Sequence, residues 1–233
     1  MEFFSLEFFS ALVTIVFIDL ILAGDNAIVI GLAARKLPKI QQNKAVIWGT
    51  VGAVGIRALA TVLVVYLLDI PWLMLTGGIL LLWIAYKLLV DESNHGDIKA
   101  GNTLWQSVRT IIIADAAMGV DNVIAVAGAA HGNITLVILG LIISIPIVVW
   151  GSTLFIKMIE RFPWIVYVGS GVLAYTAAKM ITHEPWIENF FAKSDLFRWS
   201  FMILVVIVIV VAGLWRNTAK SRKMAHEKSR ETH

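Results

Sequence analysis

The sequence predicts an all-α integral membrane protein with seven transmembrane helices. Six of them form two inverted three-helix repeats, and a seventh helix follows. Three observations predict this: a composition too apolar for a soluble domain, seven apolar stretches of membrane-spanning length, and two halves that align on polar residues.

Of the 233 residues, 59% are hydrophobic and 15% are charged. A soluble domain is about 45–50% apolar and about 25% charged. The mean hydropathy is +0.83. The absence of cysteine excludes disulfide scaffolds, thiolate metal sites and cysteine nucleophiles. No P-loop lysine motif is present, so the chain encodes no ATP-driven pump.

The formal charge of +3 is concentrated at one end. Residues 216–233 carry six bases, Arg216, Lys220, Arg222, Lys223, Lys228 and Arg230, against Glu227 and Glu231. The rest of the chain holds 13 basic and 14 acidic residues, so it offers nucleic acid no basic surface. The tail reads as a solvated cytoplasmic extension. Contact with anionic lipid is its alternative role, because clustered bases favour that leaflet.

Hydropathy places spans at about 6–33, 44–68, 71–90, 108–130, 134–157, 163–182 and 199–215, each near the roughly 20 residues a bilayer requires. The first lacks a basic start and a small-residue cleavage site, so it is expected to be retained. Arg35, Lys36, Lys39 and Lys44 lie between spans 1 and 2, Lys99 precedes span 4 with Arg109 at its border, and Lys157 and Arg161 lie near the end of span 5. The opposite loops hold Asp69 and His131-Gly132-Asn133; only Lys193 and Arg198, near 183–198, dilute the bias. The positive-inside rule then sets the N-terminus outside and the C-terminus in the cytoplasm. Trp72, Trp164, Trp186, Trp199 and Trp215 fall near span ends, as interfacial anchors do. Lys87 and Lys179 also sit at span ends, where snorkelling explains them.

The halves align. Residues 19–34, DLILAGDNAIVIGLAA, match 115–130, DAAMGVDNVIAVAGAA, at six of sixteen positions, including Asp19/Asp115, Asp25/Asp121 and Asn26/Asn122. Residues 71–92 match 163–184 at Pro71/Pro163, Trp72/Trp164, Gly77/Gly169, Leu81/Leu173, Ala85/Ala177, Lys87/Lys179 and Glu92/Glu184. The membrane domain, 1–215, thus divides into a repeat at about 6–92, a second at about 108–184 and the extra helix at about 199–215. Three helices per repeat invert the second copy, the architecture of many secondary transporters, whose sites lie at the midplane between repeats.

Asp19, Asp25, Asp115, Asp121 and Arg57 lie within apolar spans. Each such charge costs about 2.5–3.5 kcal/mol at a helix centre unless neutralised. A lone Asp could cap a broken helix or pair with Arg57; four in two repeat-related pairs point to a site. The candidate metal ligands are the four aspartates with Asn26 and Asn122. An all-oxygen set suits hard divalent ions such as Mn²⁺, Mg²⁺ or Ca²⁺. Residues six apart lie about 240° out of phase on a straight helix. Asp19 and Asp25 would therefore share a site best if spans 1 and 4 are discontinuous, and Gly24 and Gly119 offer the breaks. Arg57 reads as the counter-charge that stabilises the aspartates once a cation leaves. Pro146 lies near its level in span 5.

The paired segments FIDLILAGDNAIVIG and IIIADAAMGVDNVIAVAG resemble those of TerC-family integral membrane proteins, within the LysE-type exporter superfamily. More narrowly, the chain is similar to the short bacterial members associated with a manganese-responsive riboswitch. The resemblance covers roughly residues 6–215. It implies export of Mn²⁺ across the bacterial plasma membrane, as transported substrate rather than bound cofactor, with supply to secreted metalloproteins as a further role. The family's acidic positions carry over to Asp19, Asp25, Asp115 and Asp121, with Asn26 and Asn122. The chain contains no large soluble nucleotide-binding or CBS-like domain, so regulation through one is not expected.

A divalent cation leaving a negative interior needs an energy source, and exchange for protons on the same carboxylates is expected. Ca²⁺ or another divalent ion is the alternative cargo. Two other classes stay open: a non-transporting membrane partner of secretion or assembly, and an intramembrane aspartyl enzyme, which would not need four repeat-related acids. No enzymatic activity is expected. The partners expected are the metal, protons and the bilayer, with a second copy of the chain or secretion machinery left open. His95 with Asp97 reads as a solvated loop, and Asn133-Ile134-Thr135 as a chance glycosylation sequon.

Overall fold

The computed structural model describes residues 6–63, 67, 70–90, 104–130 and 133–231, the side chains of 21–23, 120–121 and 220–231 excepted. Asp69, Glu92, His95, Asp97, Lys99, His131 and the side chain of Asp121 lie outside the described residues. Among the described residues the helices are α1 (Leu6–Ala34), α2 (Lys39–Val62), α3 (Leu73–Val90), α4 (Leu104–Ala129), α5 (Ile134–Arg161), α6 (Ile165–Thr182), α7 (Glu188–Ala192) and α8 (Asp195–Glu231). Five are long and apolar enough to cross a membrane, and seven if each of two bent helices counts as one span.

The bends fall in α1 and α4. Leu6–Leu20 meets Gly24–Ala34 at 47°, and Leu104–Gly119 meets Asn122–Ala129 at 64°. Gly24 directly follows the first bend and Gly119 directly precedes the second. Neither glycine has anything within 4 Å of where a side chain would begin. Each is thus free to take up curvature without a packing clash, a common origin of sharp kinks.

The packing has a regular pattern. Helix α1 lies along α5 and α4 along α2, while α3 packs on α6. Exchanging α1–α3 for α4–α6 maps these pairings onto themselves. Detail follows the same rule. A side-chain carbon added at Gly49 of α2 would meet Ile111 of α4 at 2.6 Å, and one at Gly140 of α5 would collide with Ile15 of α1. Ile15 and Ile111 are 96 residues apart, the offset of the Asp–Asn segments, so the two close approaches occupy equivalent places.

Three apolar clusters fill the bundle. One joins α1, α3, α4, α5 and α6 through residues including Leu32, Leu81, Leu89, Met118 and Leu173. The second joins the ends of α1, α2, α4 and α5 around Ile30, Val46 and Ile111. The third packs Phe8 and Ile15 of α1 against Val126 of α4 and Leu141 of α5. Of the five unbroken spans, α6 is the most enclosed and α8 the least, so α8 lies at the periphery.

Helix ends are held by specific contacts. Asn133 caps α5, its side-chain oxygen accepting from the backbone N–H of Thr135 (3.1 Å) and Leu136 (3.3 Å), which accounts for the Asn in the sequon. Glu184, 1% exposed, accepts from the backbone N–H of Trp72 (3.2 Å) and Leu75 (3.1 Å). A carboxylate there meets the unpaired amides and positive dipole end of α3. Trp72 has a left-handed φ of 63° and stacks on Trp186 with ring centroids 5.9 Å apart. The hydrogen bond to Glu184 and the stacking offset the strain that a bulky residue meets there.

Candidate functional site

The site forms where α1, α2 and α4 face one another. Arg57, in α2, is 5% exposed. Its Nη1 donates to Asp19 Oδ1 of α1 at 2.6 Å, and its Nη2 donates to Asp115 Oδ1 of α4. Both carboxylates are buried. One guanidinium therefore bridges the two aspartates that the repeat makes equivalent. Guanidinium suits this task, because its planar fork presents several donors and it stays charged when buried.

The bridge is one cation against two acids. Asp115 Oδ2 and Arg57 Nε have no hydrogen-bond partner among the described residues. The register that equates Gly49 with Gly140 sets Val148 of α5 opposite Arg57, so the second half supplies no matching base. A single side chain between the two aspartates can serve both, whereas two guanidiniums would repel each other in the same space.

Asp25 and Asn26 follow the bend in α1. Asp25 is half-buried; its Oδ1 accepts from the backbone N–H of Asn26 (3.0 Å), and its Oδ2 accepts from Thr176 Oγ1 of α6 (3.3 Å). Asn26 and Asn122 are both buried. Thr176 has Ile84 as its counterpart under the repeat, so Asp121 has no hydroxyl at the equivalent position. Thr176 escaped the sequence reading because a hydroxyl within an apolar helix ordinarily bonds its own backbone.

Asp19, Asp115 and Arg57 are thus brought together, Asp25 stands beside Thr176, and the side chain of Asp121 is outside the described residues. Among the described residues no three of His, Cys, Asp and Glu come close enough to hold a metal ion. Asp19 and Asp115 face the Arg57 guanidinium rather than a shared cation position. The donors present are carboxylate, amide and hydroxyl oxygens, the set that hard divalent ions select.

Residues 4–221 match the integral membrane protein TerC family, and the chain belongs to that family of multi-pass membrane proteins. Among its relatives is the uncharacterized membrane protein YjbE of Bacillus subtilis, 44% identical over 209 residues, which span 90% of this chain and 96% of YjbE. The uncharacterized membrane protein YkoY of the same organism is 24% identical, across 90% of this chain and 72% of its own length. The UPF0053 protein YegH of Escherichia coli is 25% identical over 67% of this chain, which corresponds to 33% of YegH. No solved structure matches.

Proposed function

We propose that this protein is a secondary transporter that exports a divalent metal cation, Mn²⁺, across the bacterial plasma membrane in exchange for protons. One observation carries the reading: a single buried arginine bridges two aspartates from equivalent positions of the two halves. A structural ion pair needs one acid per base. Here two acids meet one base at the junction of the halves, beside two bends that each adjoin an Asp-Asn pair. That arrangement suits a cation site in its metal-free state, with Arg57 standing in for the departed charge.

The proposed cycle uses the chain's own groups. A divalent ion recruits Asp25, Asp121 and the amides of Asn26 and Asn122, and draws Asp19 and Asp115 away from Arg57. Its release on the far side restores the bridge, and protons neutralise the carboxylates left over. Export against a negative interior opposes about 4.6 kcal/mol per 100 mV for a double charge. Competition of metal and protons for one set of acids couples the two flows without a separate proton path. The pairing of α1 with α5 and α4 with α2 supports two exchangeable halves; three helices per half favour insertion in opposite directions, and the basic loops favour an N-terminus outside. Mn²⁺ is preferred to Mg²⁺ on chemical grounds, because Mg²⁺ dehydrates reluctantly and keeps several waters.

The test is a metal-flux panel on the protein reconstituted alone in liposomes, with Mn²⁺, Ca²⁺ and Mg²⁺ in turn. Mn²⁺ movement is expected, and is expected to be abolished by Asp25→Asn and by Asp121→Asn. Flux indifferent to both substitutions removes these residues from the site. The absence of any ion movement favours a non-transporting partner of secretion or assembly instead.

A further inference from the structure

Two adjoining cavities open at the end of the bundle where α1, α3 and α4 meet. The smaller, about 30 Å³, is walled by Arg35, Lys36, Lys87 and Ser107 among others. The larger, about 500 Å³, shares Lys87, Gln106 and Thr110 with it, adds Arg109, and continues between Trp83, Trp105 and Ile113. Together they form one groove, cationic at its head and aromatic and aliphatic along its length. No acidic side chain stands among the described residues that line it.

The head of the groove is a built surface. Arg35 donates through Nη2 to the backbone oxygen of Leu88 at 2.9 Å, tying α1 to the end of α3. Ser107 Oγ donates to the backbone oxygen of Ala33 at 2.9 Å, tying α4 to α1. Lys87 Nζ lies 4.9 Å from the centre of the Trp83 ring, at the junction of the polar and apolar parts. Trp83 and Trp105 are both more than half exposed.

Snorkelling alone accounts for a lysine at a helix end, but it requires no cavity and no apolar wall continuous with the charge. We propose that this groove is a binding site for one anionic phospholipid. Its phosphate lies against Lys87 and Arg109, and an acyl chain runs along Trp83 and Ile113. Basic pockets between transmembrane helices recognise anionic headgroups in this way. A zwitterionic lipid carries the same phosphate, but its ammonium cancels the attraction to the two bases. Preference for the anionic lipid of about tenfold follows. The groove shares no residue with the Asp19–Arg57–Asp115 site, so the assignment stands or falls apart from metal transport.

The experiment uses the full chain, purified and titrated with phosphatidylglycerol or phosphatidylcholine whose acyl chains are brominated, with quenching of tryptophan fluorescence as the readout. Half-maximal quenching by phosphatidylglycerol is expected at about tenfold lower mole fraction than by phosphatidylcholine. Lys87→Gln/Arg109→Gln should erase the difference, Lys87→Arg/Arg109→Lys should keep it, and Trp83→Phe/Trp105→Phe should remove the lipid-selective quenching. Equal quenching by both lipids, or a preference that survives in the double glutamine variant, overturns the proposal. Displacement of phosphatidylglycerol by millimolar inorganic phosphate also overturns it, because the site would then read a phosphate and not a lipid.

Discussion

Replacing Arg57 with methionine tests the bridge directly. The side chain is about the right length and apolar, so the change removes the charge with little loss of volume. In the wild type the guanidinium is buried and serves Asp19 and Asp115, both buried as well. Removing one partner of a buried ion pair costs about 3–5 kcal/mol, because it strands the other charge. Two carboxylates are stranded here, so Arg57→Met should cost at least about 3 kcal/mol. The triple variant Arg57→Met/Asp19→Asn/Asp115→Asn strands none and should recover at least half of that loss, since apolar and neutral replacements of buried ion triads are tolerated. Equilibrium unfolding in mixed micelles, followed by tryptophan fluorescence, measures both. A cost below about 1 kcal/mol for Arg57→Met, or a triple variant less stable than the single one, would refute the bridge as a coupled unit.

Other substitutions have definite outcomes. Glu184→Ala should destabilise by about 1–3 kcal/mol in the same unfolding assay, because the amides of Trp72 and Leu75 lose their acceptor; Glu184→Gln, which keeps an acceptor oxygen, should cost less. Gly49→Ala and Gly140→Ala should each cost about 1–3 kcal/mol and by similar amounts, since Ile111 and Ile15 press on them equivalently, while Gly55→Ala, with nothing within 4 Å, should not destabilise. Thr176→Val should raise the Mn²⁺ concentration for half-maximal flux several-fold, and Thr176→Ser should not, because only the hydroxyl reaches Asp25.

Much of the helix order was legible because lipid demands long apolar runs, but the boundaries follow hydrogen bonding rather than hydropathy. The span expected at 134–157 continues to Arg161, and the one expected at 199–215 lies within a helix running from Asp195 to Glu231. Charged residues end an apolar window without ending a helix, since Lys, Arg and Glu are good helix formers. The second span, expected to 68, is described as α2 only to Val62, and most of the residues between there and 69 lie outside the described residues. Arg57 stood out because a base inside an apolar span is costly, yet the sequence could not say which acids it meets. That choice depends on how α2 packs, including its close approach to α4 at Gly49 and Gly52, beside Ile111 and Ile112. In the sequence Glu184 stands out only by its match to Glu92 in the repeat. Its role as the cap of α3 needs a contact across more than 100 residues, which no local pattern carries.

Metal–proton exchange is tested most directly by Mn²⁺ flux into proteoliposomes containing only this protein, with an imposed pH gradient and a pH-sensitive dye inside. The expected result is flux that accelerates when the gradient drives protons against the metal, with an internal pH change that tracks Mn²⁺ movement and vanishes in Asp25→Asn. Mn²⁺ flux at the same rate with and without the gradient, and no proton movement, would contradict exchange on a shared set of carboxylates.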